Sequence, residues 1–88
     1  MADYSLSDTI ALMTSDDYKD RFKAEYFQTK NRCEKLDIMI DHMIDGSLDF
    51  QPKCPIYILI KQLETMSEYL DILTARAQIE GIDLTWQG

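Results

Sequence analysis

Glu34, Asp37, Asp41 and Asp45 follow one another at steps of three and four residues, with His42 beside the third. On a helix that spacing lays the carboxylates along one face. Asp is a poor helix former, and a carboxylate near the C-terminal end of a helix meets the negative end of its dipole. The stripe therefore calls for compensation. A basic protein partner, Lys or Arg from a second subunit, or a divalent cation would each supply it. A cation needs oxygen ligands converging from more than one element, for which Glu64, Glu68 and Asp71 are the available source. The plainest reading is a solvated acidic face, and the functional one is a partner-binding surface made of Glu34, Asp37, Asp41 and Asp45. No metal is assigned.

A second constellation interleaves cations with aromatics: Tyr18, Arg21, Lys23, Tyr26, Lys30 and Arg32, with Phe27 among them. Guanidinium and ammonium groups beside aromatic faces are how a small protein grips phosphates and stacks bases, so these six residues form a candidate nucleotide-binding set. The competing reading pairs them with acids along the helix, as in Asp17 with Arg21 or Asp16 with Lys19. Charge is unevenly distributed. Residues 19–35 carry six basic against three acidic side chains, whereas everything after residue 35 carries three against nine. The total of −7 argues against direct DNA or RNA binding, because affinity for phosphate backbones comes mainly from Lys and Arg.

Enzyme chemistry has little to stand on here. There is no nucleophile–base pairing, no Glu-x-x-His motif and, with three glycines in all, no glycine-rich phosphate loop. Cys33 and Cys54 lack zinc-ligand spacing with each other or with His42. No cofactor is expected, and Cys33 reads as a small buried hydrophobe.

The elements that must position these residues are two helices with one apolar stripe each. Phe22, Tyr26, Thr29, Cys33, Leu36, Ile40 and Met43 recur at alternating steps of four and three, as do Ile56, Leu59, Leu63, Met66, Leu70, Leu73 and Ala77. Such a rhythm keeps a narrow stripe turned toward a partner helix. The fold expected is all-α: a long antiparallel helical hairpin in a single domain, with a coiled-coil-like seam. Thr14 to Asp17 supply hydroxyl and carboxylate start signals for a helix over 15–45, which Gly46 ends. A connector over 46–54 follows, with Leu48 and Phe50 expected to plug the open end of the hairpin. Pro55 suits the first turn of a helix over 55–80, stopped by Gly81 and Ile82. Ser5 to Asp8 resemble a capping box, and Leu6, Ile10 and Met13 predict a short helix over 6–13 that is too short to stand alone. It must dock on the hairpin or on a second subunit. In the tail, 81–88, Trp86 is expected to fold back on the hairpin.

Apolar residues exceed what one seam can use. Tyr57, Ile60, Tyr69, Ile72 and Ile79 lie off the main stripe of the second helix, and Tyr18, Phe27, Ile38, Met39 and Ile44 off that of the first. Homo-oligomerisation into a helical bundle would bury this surplus, with the first five as the oligomer interface. No segment has the length and apolarity of a membrane span, and the first residues lack the character of a signal peptide, so a cytoplasmic location is expected.

The run Asp17 to Tyr26, Glu34-Lys35-Leu36, Gly46 to Phe50, Cys54-Pro55, Met66 to Leu70 and Arg76 to Ile82 resembles a family of small helical proteins encoded by phages and prophages of Firmicutes and by crAss-like phages. The resemblance covers about residues 16–84. It brings no established activity and no site residues, but it implies a phage context, in which short acidic proteins often inhibit host defence systems or sequester their signals. Two functional expectations follow. The first is a non-catalytic phage accessory protein that binds a host protein, as an anti-defence, anti-CRISPR-like inhibitor. The alternative is an oligomeric sponge for a nucleotide immune signal, or an assembly protein with no ligand.

Overall fold

A computed structural model describes residues 4–87. The described chain is helical, with no strands. A 3-10 turn over Leu6–Thr9 runs into a one-turn helix α1 (Ile10–Met13), followed by α2 (Tyr18–Asp45) and α3 (Ile56–Glu80). The two long helices set a rod-like outline of 43 × 24 × 18 Å.

The start and stop signals act locally. Asp17 caps α2 by accepting a hydrogen bond from the Lys19 amide at 2.9 Å. The helix therefore begins at Tyr18, three residues after the start at 15 expected from the sequence, because Ser15 and Asp16 remain in the turn before the cap. Gly46 takes a left-handed φ of 79°, and the Ser47 amide donates back to the His42 carbonyl at 2.9 Å, closing the helix. Pro55 is the N-cap of α3 and not its first residue, with the Ile58 and Leu59 amides donating to its carbonyl. Gly81 repeats the left-handed stop at φ 70°, and the Ile82 amide reaches the Ala77 carbonyl at 2.8 Å.

The hairpin is antiparallel. Phe22 near the start of α2 packs with Leu73 and Ala77 near the end of α3, and the Arg76 guanidinium lies 4.8 Å over the Phe22 ring while donating to the Tyr18 hydroxyl. Every residue of the two heptad stripes is buried or half-buried, which shows that the 4-3 rhythm marks the seam. The best-packed part is the end where Phe22, Leu73, Ala77 and Ile82 form one cluster, joined by Tyr26 and Leu84.

A second face of α2 is covered from within the chain. The N-terminal segment lies along it: the Tyr4 hydroxyl donates to the Phe27 carbonyl at 2.8 Å, the Asn31 amide donates to the Tyr4 carbonyl, and the Gln28 amide donates to Thr9 Oγ1. Thr9 is fully buried, and its hydroxyl donates in turn to the Leu6 carbonyl. A stripe of apolar residues too short for a stable free helix is thus held by hydrogen bonds to a long one. Phe27, left over by the seam, is buried here. At the opposite end Phe50 is 57% exposed, so of the two residues expected to plug the hairpin only Leu48 is even half-buried.

Candidate functional site

The six residues of the basic–aromatic set do not share a face. At about 100° per residue, Tyr18, Arg21 and Arg32 fall on one side of α2 and Lys23, Tyr26 and Lys30 on another. On the first side, Tyr18 bonds Arg76 and the Arg21 guanidinium donates to the Ser15 carbonyl at 2.9 Å, not to Asp17; Arg32 is exposed. On the second, Lys30 lies 5.8 Å over the Tyr26 ring, and Tyr26 packs against the core. Lys23 alone of the six lines a pocket walled by aromatics.

That pocket, of about 390 Å³, opens where the N-terminal segment, α2 and the tail meet. Asp8 and Leu12 form one wall, Asp20, Lys23 and Phe27 the second, and Thr85, Trp86 and Gln87 the third. Its volume lies in the range of small-molecule sites. The geometry of the tail explains the third wall. Ile82 is driven into the core by the Gly81 stop, and the Asp83 carboxylate then accepts a hydrogen bond from the Thr85 amide at 2.9 Å, bending the chain so that Trp86 turns back. The Thr85 hydrogen bonds, helped by the Lys23 charge, hold the Asp83 carboxyl below its ordinary pKa. Trp86 stacks on Tyr4 at 4.5 Å and meets Phe27 edge-on at 5.0 Å. The Tyr4 ring also meets Phe27 edge-on, and burial, with the Glu34 charge adding, pushes its phenol up to about 12.

Chemically, the pocket offers aromatic surface for a planar ring, one ammonium for an anionic group, and two carboxylates that accept N–H donors. Asp8 and Asp20 are oriented by their own partners: Asp8 accepts from the Ser5 amide and Asp20 from the Ser15 hydroxyl, both at 2.8 Å. Sequence reasoning missed the pocket because its walls come from three segments with no common period. The one available signal was a lone Trp near the chain end, next to an Asp-x-Thr turn.

The acidic stripe is a separate feature. Glu34 is half-buried and Asp37, Asp41 and Asp45 are exposed, spread over about 17 Å of helix length. The Asp45 carboxylate accepts from both the amide and the hydroxyl of Ser47, which holds its pKa low, and His42 Nδ1 is 2.6 Å from the same hydroxyl. Of the five residues expected at an oligomer interface, Tyr57, Ile72 and Ile79 fall within about 60° of one another on α3, with Tyr69 and Ile60 displaced to either side of them. All five are exposed.

Among the described residues, no helix is long and apolar enough to cross a membrane. No curated protein and no solved structure is significantly similar to the chain. The family model described as Sequestin matches residues 16–79, which span α2, the connector and nearly all of α3, and so include Asp20, Lys23 and Phe27 of the pocket. With well over half of its length matched, the chain belongs to the Sequestin family.

Proposed function

We propose that the protein acts without catalysis, by stoichiometric capture of a small nucleotide in the pocket lined by Lys23, Phe27 and Trp86. The family's name speaks of sequestering, which supports a binding role and is compatible with the sponge. The observation that carries the reading is the position of Lys23 on the rim of a pocket with aromatic walls. A base stacks on Trp86, its exocyclic and ring N–H groups donate to Asp8 or Asp20, and a phosphate oxygen meets the Lys23 ammonium. Two carboxylates against one ammonium leave the lining net negative, which opposes a phosphate, so the ligand's charge has only the Lys23 side to meet. The setting we infer is the cytoplasm of a phage-infected bacterium, where removal of an immune signal needs binding alone.

A second reading, capture of a basic protein surface by Asp37, Asp41 and Asp45, draws on the exposure of that stripe. The two separate in one experiment. A panel of linear and cyclic mono- and dinucleotides is screened by thermal shift, since a ligand bound only by the folded state raises stability with the logarithm of its concentration over Kd. The sponge predicts a shift that Lys23→Glu abolishes and Asp41→Lys leaves intact. No shift across the panel, with partner capture lost in Asp41→Lys, rejects it.

A further inference from the structure

The pocket between the N-terminal segment, α2 and the tail has an order along its length. Asp20, Lys23 and Phe27 follow one another at steps of three and four residues, so they lie on one side of α2 and span about 10 Å, with Lys23 between the other two. Phe27 marks one end, where Trp86 meets it edge-on. The N-terminal segment runs against α2 in the opposite direction: the Tyr4 hydroxyl donates to the Phe27 carbonyl, Thr9 Oγ1 accepts from the Gln28 side-chain amide, and the Ser15 hydroxyl donates to Asp20. Asp8, between Tyr4 and Thr9, therefore stands at the aromatic end of the pocket, and Asp20 at the far end beyond Lys23.

We propose that the captured nucleotide carries guanine and that Asp8 reads it. The inference rests on the nucleotide reading of this pocket and names the base. One face of Trp86 is taken by Tyr4, stacked at 4.5 Å, so a base lies on the other face, beside Asp8, while its phosphate turns back to Lys23. An ionised carboxylate only accepts hydrogen bonds. Guanine alone among the common bases presents two adjacent donors, its ring N–H and its exocyclic amino group, and the pair fits one carboxylate. Adenine and cytosine set a ring-nitrogen lone pair beside the amino group, and uracil flanks its single N–H with carbonyls, so each turns an acceptor toward the carboxylate. Asp8 is held in place for this task. Its Oδ2 accepts from the Ser5 amide at 2.8 Å, and among the described residues its Oδ1 accepts from nothing. One lone pair on Oδ2 and both on Oδ1 remain for the base. Asp20, one turn from Lys23, adds negative charge at the phosphate end and takes no part in choosing the base.

The test measures Kd for GMP, IMP and AMP on the full chain by Trp86 fluorescence, with melting in the absence of ligand to check that each variant is folded. IMP keeps the ring N–H of guanine and lacks the amino group. GMP should bind about tenfold tighter than IMP, the worth of one hydrogen bond to a charged group, and tighter still than AMP. In Asp8→Asn the amide oxygen keeps the Ser5 amide, which leaves the NH₂ group for the pocket. That variant should bind AMP at least as tightly as GMP, because the ring nitrogen of adenine accepts from the new donor. Asp20→Asn should tighten all three alike by easing repulsion at the phosphate, and keep their order. AMP bound as tightly as GMP by the unmodified chain, a GMP preference that survives Asp8→Asn, or one that Asp20→Asn removes would each overturn the assignment while leaving nucleotide capture standing. Binding of none of the three would overturn it as well, and capture itself fails only if the rest of the nucleotide panel is silent too.

Discussion

The two ends of the hairpin are built from similar residues and packed very differently. At the end where α2 starts and α3 stops, Phe22, Leu73, Ala77 and Ile82 form a buried cluster, and the N-terminal segment and the tail close over Phe27 with Tyr4 and Trp86. At the connector end Ile40 and Leu59 are buried, but Ile44, Phe50 and Tyr57 stand 68%, 57% and 70% exposed. The difference lies in the number of chain segments available. Two helices facing each other shield one stripe each, and only a third and fourth segment can shelter the next face. The same crowding of segments creates the pocket, because a cleft with walls on three sides needs three pieces of chain to meet.

Substitutions that remove a side chain should therefore cost most at the first end and least at the second. Leu73→Ala, at a fully buried position, should destabilise the protein by about 3–5 kcal/mol in urea unfolding, as expected for a core Leu whose cavity cannot collapse. Tyr4→Phe should cost about 1 kcal/mol near neutral pH, the net worth of its hydrogen bond to the Phe27 carbonyl. The phenol gives that effect a pH signature. Its folded pKa of about 12 lies above the ordinary 10.0, so its contribution is complete below pH 10 and is lost as pH rises from 10 toward 12. The stabilities of the two proteins should accordingly converge and then cross over that interval, since the raised pKa is worth more than the hydrogen bond, whereas a constant gap would place the phenol in water. Phe50→Ser, on the exposed connector, should change stability by less than about 0.5 kcal/mol. A loss comparable to that of Leu73→Ala would mean that the connector end is packed against something, and the contrast between the ends would fail.

What could be read from the sequence follows the same division. The heptad stripes were legible because a helix–helix seam is periodic, and so were both glycine stops, since a left-handed residue after a helix is written in one position. The docking of the N-terminal segment was visible in outline from Leu6, Ile10 and Met13, yet Ile10 and Met13 remain about half exposed and the hold comes from Tyr4, Thr9, Gln28 and Asn31. Those are polar contacts over 19 to 27 residues of chain, and no local pattern announces them. Asn31 is the clearest case: it is buried, donates to Tyr4, and keeps Oδ1 without a partner. In the basic–aromatic set, sequence order could not tell which cations share a side. Helical geometry splits them, and only Lys23 reaches the pocket.

Trp86 is the chain's one tryptophan, so its fluorescence reports on the proposed site alone. The most direct test of the central claim is a titration of the protein with the nucleotide panel followed at Trp86, with the bound nucleotide recovered after denaturation and analysed. Capture in this pocket predicts saturable quenching by at least one nucleotide, at one molecule per protein chain, that Lys23→Glu abolishes, with the ligand released chemically unchanged. Quenching by none of them, or release of a cleaved product, would contradict it.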